Sequence, residues 1–380
     1  MNLPLTTEQR DIQKAAREFA MGEFDPEAAL EYDKDQQFPK GIWKKACELG
    51  FIGAQYPECY GGQGCGVLEN ALIVEAFCRQ DSGIGIALAL SDFGSELIVR
   101  HGKEDQKKRI LPAATNGDSL ITLALLEEGY SRAPLATTAV KTSRDYTING
   151  TKFFVTLGSM ASTMIVVCQT NADEPHAQTV IVLERYLHGM EISSMGEKLG
   201  MRMIPVDQVS FSNVKVPLEH AVGKENNGYS LLQDFFHEVR IETSAMGVGI
   251  AQGGVDRALE YSRKREQFGK PIISFEVIRN KLADMYLETE MARCMTYQAA
   301  QSFDTGKPDS RTILVATIIA SRTAYRATYE AVQIHGGYGY MTEGQIEHFY
   351  RDAKALNLFL ETEQMQRNML ADQIAGIGLI

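Results

Sequence analysis

The chain is short of the features that mark a protein for export, a membrane or nucleic acid. Its six cysteines, Cys47, Cys59, Cys65, Cys78, Cys168 and Cys294, include no C-x-x-C pair and have no histidine near them at metal-ligand spacing. That excludes zinc-ribbon and dithiol redox chemistry and predicts free thiols in a reducing compartment. Basic residues are in deficit, with 38 Lys and Arg against 49 Asp and Glu and a formal charge of −11. Phosphate neutralisation needs a basic face, so nucleic acid is excluded as a partner. No apolar run approaches the roughly 20 residues of a membrane span, and Met164–Cys168 and Leu314–Ala320 are among the longer ones. The first ten residues carry neither a basic region nor a long apolar one, so no export signal is expected and the protein reads as cytoplasmic. No H-E-x-x-H, G-x-S-x-G or Walker A motif is present, and no G-x-G-x-x-G opens a strand–turn–helix. Hydrolase, metalloenzyme, kinase and Rossmann readings therefore lack support.

What is present is an ordinary globular composition, 44% hydrophobic and 23% charged, over 380 residues. That length suggests two or three domains. Residues 1–117 read as helical. Thr6-Thr-Glu-Gln resembles an N-cap, and Ile12, Ala15, Ala16 and Phe19 follow at helical spacing. The turn-rich loop Pro57–Gly64 precedes helical stretches around Leu68–Arg79 and Phe93–His101. Residues 118–225 are β-rich, with candidate strands at Ser119–Leu126, Lys152–Leu157, Thr163–Thr170, Thr179–Glu184 and Val206–Val216. Asn149-Gly150 predicts a hairpin turn, because a type I′ turn needs positive φ at both central residues. An antiparallel β-domain is the simplest reading. Residues 226–380 return to long helices: Leu231–Arg265, a stretch with Phe275, Ile278, Leu282 and Met285 on one face, Ser310–Ile334 and Gln345–Phe359. The order is α–β–α, a multi-domain α+β protein.

Five segments in this order resemble the acyl-CoA dehydrogenase family of flavoproteins. They are Tyr60-Gly-Gly-x-Gly64, Lys198–Arg202 running on to Val214–Pro217, Arg265-Glu-Gln-Phe-Gly-Lys270, Gln333-Ile-His-Gly-Gly-Tyr-Gly339 and Arg351-Asp-Ala-Lys354. The resemblance implies an N-terminal helical domain, a central antiparallel β-domain, a C-terminal four-helix bundle and a homotetramer. It also implies FAD, an acyl-CoA substrate and an electron-transferring flavoprotein as acceptor. Residue by residue, Phe154 and Thr156 stand where the family lays Trp-x-Thr against the isoalloxazine. Phe keeps an aromatic wall there but lacks the indole donor. Arg265, Gln267 and Phe268 match a segment that reaches the FAD of a neighbouring subunit, where a guanidinium suits pyrophosphate. Gln333, Gly336 and Gly337 match a glycine-rich turn approaching that same FAD, and Thr362 and Gln364 match the last FAD contacts. Taken singly, the Gly-Gly turn reads equally as a helix connection, Arg265 as a solvated helix residue and Phe154 as β-core.

Two blocks depart from the family. The loop that touches flavin and CoA reads Leu125-Leu-Glu-Glu-Gly-Tyr-Ser-Arg132. Leu125 is expected beside the flavin, Leu126 replaces the usual Thr, and Ser131, one place before the family's Ser, is a candidate CoA contact. The second departure is the base. The family's Glu precedes Gly-Thr, and aligned through Thr362 and Gln364 that position is Leu360. A branch that takes its Glu from the helix just before an Arg has Val239-Arg240 here. Arg240 then serves CoA binding or the helix bundle.

Three readings follow. Glu361 acts as base from the next position, for 1,2-dehydrogenation of a saturated cyclic or branched acyl-CoA. Alternatively, the protein is a non-catalytic CoA-ester binder or scaffold. In the third, the thioester already carries a C1=C2 double bond, so its acidic hydrogen lies at C3 and a base facing C1 is useless. The carboxylate this last reading requires is Asp92, in Ala87-Leu-Ala-Leu-Ser-Asp-Phe-Gly94, a stretch that lines the acyl pocket in the family. Asp92 also reads as the N-cap of a helix beginning near Phe93. Leu360 and Val239 together with a pocket Asp92 resemble the dehydrogenases of anaerobic bacteria that act on cyclohex-1-ene-1-carboxyl-CoA. In those enzymes an Asp in this loop removes the C3 proton, hydride leaves C6 for the flavin, and the product is cyclohexa-1,5-diene-1-carboxyl-CoA.

Overall fold

The computed structural model describes residues 5–129, 133–184 and 187–376. Seven helices come first: α1 Thr7–Glu23, α2 Pro26–Asp35, α3 Lys40–Glu48, α4 Val67–Gln80, α5 Ser82–Ala89, α6 Ser95–His101 and α7 Glu104–Thr115. Thr6 caps α1 as expected. Its hydroxyl accepts from the Gln9 N–H at 3.1 Å and the Gln9 side chain accepts from the Thr6 N–H at 2.9 Å, satisfying two orphan donors at once.

The middle of the chain forms β1 Ile121–Ala124, β2 Thr138–Lys141, β3 Asp145–Thr156, β4 Thr163–Gln169, β5 Gln178–Glu184, β6 Met190–Ser194, β7 Val206–Pro217 and β8 Ala221–Val222. They make one sheet in the order β6-β7-β3-β2-β4-β5-β8, with β1 beside β4. Its pairings are mostly antiparallel, but β1 and β2 both run parallel to β4, so the sheet is mixed rather than purely antiparallel. The strands β4 and β5 are buried on both faces. Ile165, Val167, Val180 and Val182 join the helical core, while Met164, Val166, Cys168, Ile181 and Leu183 pack into a second core with Tyr146, Ile148 and Phe211. That two-sided burial is why these strands read as unbroken apolar runs.

The expected hairpin at Asn149-Gly150 is absent. β3 runs through both residues, and the tight turn lies instead between β2 and β3, where the Thr142 hydroxyl accepts from the Asp145 N–H at 3.0 Å. The glycine serves a bulge. Pairing with β7 slips between Ile148 and Gly150, Gly150 has φ 141°, and a Cβ there would lie 2.6 Å from Thr137 Cα. Pairing along the whole length of β7 overrides a turn signal that local propensity favours.

The last third contains α8 Gly228–Lys264, α9 Glu276–Asp304, α10 Ser310–His335, α11 Ile346–Leu356 and α12 Glu363–Ala375. On α9, Leu282 and Met285 are buried and Ile278 packs against the core. α8 is buried almost all round, and its apolar side chains share one continuous core with α4, α6, α9 and α10. A helix apolar on every side belongs at the centre. The N- and C-terminal helices are tied together by buried polar groups. His348 on α11 pairs with Asp81 at 3.0 Å, and Asp352 accepts from Ser82 Oγ at 2.7 Å and from the Met201 N–H at 2.6 Å. Among the described residues no helix is long and apolar enough to cross a membrane.

Candidate active site

Two groups of the expected residues lie apart in this chain. Arg265, Gln267, Gly336 and Gly337 come together, lining one open cavity of about 490 Å³ with Tyr261, His335 and Tyr338. The Arg265 guanidinium carbon stands 5.9 Å from the centre of the Tyr338 ring. Gly336 caps α10 at φ 61° and ψ −136°, a conformation essentially reserved for glycine. Phe268, also at positive φ, is 93% exposed beside this cavity. Gln333 lies exposed on the last turn of α10. Thr362 caps α12, its hydroxyl accepting from the Met365 N–H at 3.3 Å. Gln364 is exposed and donates to Asn368.

Leu125, Phe154 and Thr156 form the other group, on the sheet. Phe154 is a 61% exposed aromatic at φ 54°, and the backbone carbonyl of the buried Thr156 accepts from the Thr122 hydroxyl. The carbonyl of Leu125 accepts from Lys152 Nζ at 3.1 Å, and that fully buried ammonium pairs with Glu127 at 2.7 Å. Glu127 in turn accepts from the Ala136 and Thr137 N–H groups, so the loop is anchored where Leu126 enters it. Ser131 lies outside the described residues.

Asp92 occupies the turn between α5 and α6, where the backbone forms a bridge to Ile121 of β1. It is not the cap of α6. That position is Gly94, whose N–H donates to Glu96 at 3.0 Å. The Asp92 carboxylate instead accepts from the Tyr56 hydroxyl at 2.5 Å and from Ser95 Oγ at 3.4 Å. Burial holds it above the usual carboxylate range, and the Tyr56 hydrogen bond pulls part of the way back. Its charge also reaches Cys47, whose thiol is pushed up to about 12 first by burial and then by Asp92. Next in sequence, the Phe93 ring meets Phe235 edge-on at 5.7 Å and Phe359 at a tilt at 5.6 Å. The Asp92 turn and the Leu360 turn therefore meet through one apolar contact.

Leu360 packs part-buried against that core at φ 56°. Glu361 is only 3% exposed and is clasped by Arg240, with Nε to Oε2 at 2.9 Å and Nη2 to Oε1 at 2.8 Å. The Arg240 guanidinium also lies over the Phe236 ring at 5.5 Å. A planar fork on a carboxylate fixes both partners, so Arg240 ties α8 to the turn before α12.

Three glutamates near this region were missed in the sequence: Glu96 on α6 and Glu242 on α8, which share a cavity with Asp92, and Glu238 on α8, which shares a neighbouring cleft with Glu96. Asp92, Glu96 and Glu242 line one small cavity with Phe51, Gln55 and Asn70. The available signal was Asp234, Glu238 and Glu242 recurring every fourth residue, interleaved with the apolar Phe235, Phe236, Val239 and Ile241.

Comparison with known proteins decides the family. Residues 6–118, 126–214 and 226–375 match, in turn, the N-terminal, middle and C-terminal domains of acyl-CoA dehydrogenase. The chain belongs to the acyl-CoA dehydrogenase family. It is 32% identical to acryloyl-CoA reductase (NADH) of Anaerotignum propionicum, over 98% of this chain and 96% of that protein. The solved structure of butyryl-CoA dehydrogenase from Megasphaera elsdenii superposes with a TM-score of 0.94 at 33% identity, covering 99% of this chain and 100% of that one. A solved structure described as the electron transferring flavoprotein of Acidaminococcus fermentans gives 0.94 at 32% identity, covering 98% of this chain and 99% of that one.

Members of the acyl-CoA dehydrogenase family are FAD-dependent oxidoreductases of CH–CH groups, and this chain fits that cofactor. A Cβ added at Gly336 or Gly337 would meet nothing within 4 Å, so the backbone there leaves room for a close approach beside the Arg265 guanidinium, a charge suited to pyrophosphate. Phe154 supplies an exposed aromatic wall. Positive φ at Phe154, Phe268 and Leu360 puts backbone strain at positions with expected contacts, as is common at ligand sites.

Proposed function

We propose that this acyl-CoA dehydrogenase oxidises cyclohex-1-ene-1-carboxyl-CoA to cyclohexa-1,5-diene-1-carboxyl-CoA, with Asp92 as the base. One observation carries the reading. Leu360 stands at the position of the family's base and Glu361 beside it is clasped by Arg240, while Asp92 across the Phe93–Phe359 contact is a buried carboxylate held by hydroxyl groups. Asp92 takes the C3 proton, which the conjugated thioester acidifies through the C1=C2 bond. The C3–H electron pair becomes C2=C3, the C1=C2 pair shifts to C1=C6, and a hydride leaves C6. FAD, when bound, supplies the hydride acceptor. Burial raises the proton affinity of Asp92 toward that of a useful base, and Tyr56 fixes which oxygen faces away from the reacting carbon. An apolar Leu360 shapes the pocket against the ring.

Phe154, Thr156 and Leu125 serve the flavin of the same chain. Arg265, Gln267, Phe268, Gln333, Gly336 and Gly337 serve the flavin of a neighbouring subunit in a homotetramer, with Thr362 and Gln364 at its edge. The exposed Phe268, Tyr338, Tyr340 and Met341 beside that cavity support such a contact. An electron-transferring flavoprotein is the acceptor, and the setting is cytoplasmic.

Anaerobic bleaching of the flavin by a panel of thioesters tests the reading. The 1-ene thioester is expected to bleach the flavin and its saturated analogue is not. Bleaching by the saturated compound favours 1,2-dehydrogenation, and bleaching by neither favours a CoA-ester binder.

A further inference from the structure

A base buried this deeply needs a way to release its proton, and the surroundings of Asp92 contain one. The small cavity that Asp92 lines has about 20 Å³ of free space, room for a water or two. Glu242 and Glu96 face the same cavity. Glu96 also lines a second, open cleft of about 370 Å³ with Glu238, Arg100 and Asp304. Gln55 borders both spaces, and its side-chain oxygen is shielded from solvent with no hydrogen-bond partner. A buried acceptor left open at the junction of two cavities calls for a donor, either water or a protonated carboxyl. Glu238 at the far end is paired with Arg100 at 2.8 Å, whose side chain reaches the cleft.

We propose that Glu242, Glu96 and Glu238 form a proton relay, carrying the proton taken up at Asp92 through the small cavity to the larger cleft beside Arg100. The proposal rests on Asp92 being the base. The carboxyls differ in their surroundings along the way. Glu242 accepts from Asn70 Nδ2 at 3.4 Å, and burial, then the charge of Asp92, push it up to about 8. Burial and the charges of Glu238 and Glu242 hold Glu96 well above the usual range. Burial also raises Glu238, against the pull of Arg100. A carboxyl that holds its proton near neutrality can receive one proton as it passes another on. The balance is simple: the C3–H proton arrives on Asp92, each O–H bond formed is matched by one broken, and one proton leaves to water at the Glu238 end. No electrons move along the relay.

The experiment uses the holoenzyme in D2O without air, with cyclohex-1-ene-1-carboxyl-CoA. It follows flavin bleaching together with deuterium appearing at C3 of the recovered thioester. A proton trapped on Asp92 returns to the carbon it came from, so exchange requires the relay while bleaching requires only the base. Relative to bleaching, exchange is expected to fall by about tenfold or more in Glu242→Gln, a loss within the range of a single proton-transfer group. Glu96→Gln, which carries the test should the first variant fold poorly, is expected to show the same split, and Glu242→Asp to restore part of the exchange. Wild-type exchange-to-bleaching ratios in both Gln variants would overturn the relay while leaving Asp92 as base. Bleaching and exchange that both survive Asp92→Asn would instead overturn the base itself. A wild-type enzyme that does not bleach with this thioester would remove the substrate reading, and the relay with it.

Discussion

Asp92 and Glu361 flank the same apolar contact, Phe93 against Phe359, yet their surroundings are opposite. Glu361 is gripped by both arms of the Arg240 guanidinium, so its charge is neutralised where it stands. Asp92 accepts from the hydroxyls of Tyr56 and Ser95, and burial raises its proton affinity. Burial alone therefore does not make a carboxylate a base. A guanidinium partner turns it into a strut, whereas hydroxyl donors hold it in place and leave it able to take a proton. In the proposed reaction the same difference lets a family site lose its usual base and remain a site. The turn at Leu360 keeps its geometry through the Arg240–Glu361 clasp, and the acid–base work is free to sit across the pocket.

The largest test of this contrast is Asp92→Asn. Asn keeps the shape and the Tyr56 contact but cannot take a proton. Turnover is expected to fall by about 10²–10⁴-fold, the usual contribution of a general base, while the flavin absorbance of the purified protein is unchanged. Activity close to wild type would erase the distinction between the two carboxylates. Glu361→Gln is the reciprocal change. It strips Arg240 of its carboxylate partner in a buried place, which costs about 3 kcal/mol of stability, read as a lower unfolding midpoint of the holoenzyme. Turnover per folded molecule is expected to suffer far less than in Asp92→Asn. If turnover instead falls as far with little change in the midpoint, Glu361 is the base.

The two regions were unequally legible in the sequence. Long helices such as α10, and apolar strands such as β4 and β5, declared themselves because length and composition leave few alternatives. Asn149-Gly150 misled because a hairpin signal is local, whereas strand pairing with β7 is set by residues some sixty positions away. Asp92 could be singled out by what was missing at Leu360 and Val239, but its partner Tyr56 lies 36 residues upstream, and no spacing rule links the two. Arg240 was weighed between CoA and the bundle because the clasp on Glu361 spans 121 residues. Glu96 and Glu242 were not singled out, because only packing brings them against one cavity with Asp92. What the sequence hides here is electrostatic environment, which depends on neighbours brought together only by the fold.

The subtlest test is Tyr56→Phe, which leaves both carboxylates in place and alters only the proton affinity of one. The phenol donates to Asp92 and favours its ionised form, so removing it leaves burial less opposed and the Asp92 pKa rises further. A hydrogen bond to a charged group contributes about 1.5–3 kcal/mol, or roughly one to two pH units. Asp92 must be ionised to take the C3 proton, so activity rises with pH through its already raised pKa. In the variant that acid limb should move to higher pH by about one unit, and well below the limb the rate should be about tenfold lower at matched pH. Above the limb the rates should converge, since the base is ionised in both proteins and is if anything stronger in the variant. The stability has the opposite sense. A folded-state acid with a raised pKa holds a proton that the unfolded chain releases, so stability falls as pH rises from the ordinary carboxylate range through the raised value. The Tyr56→Phe protein should show that decline over a wider pH span. A profile unmoved on its acid side would mean that the limb belongs to a group other than Asp92.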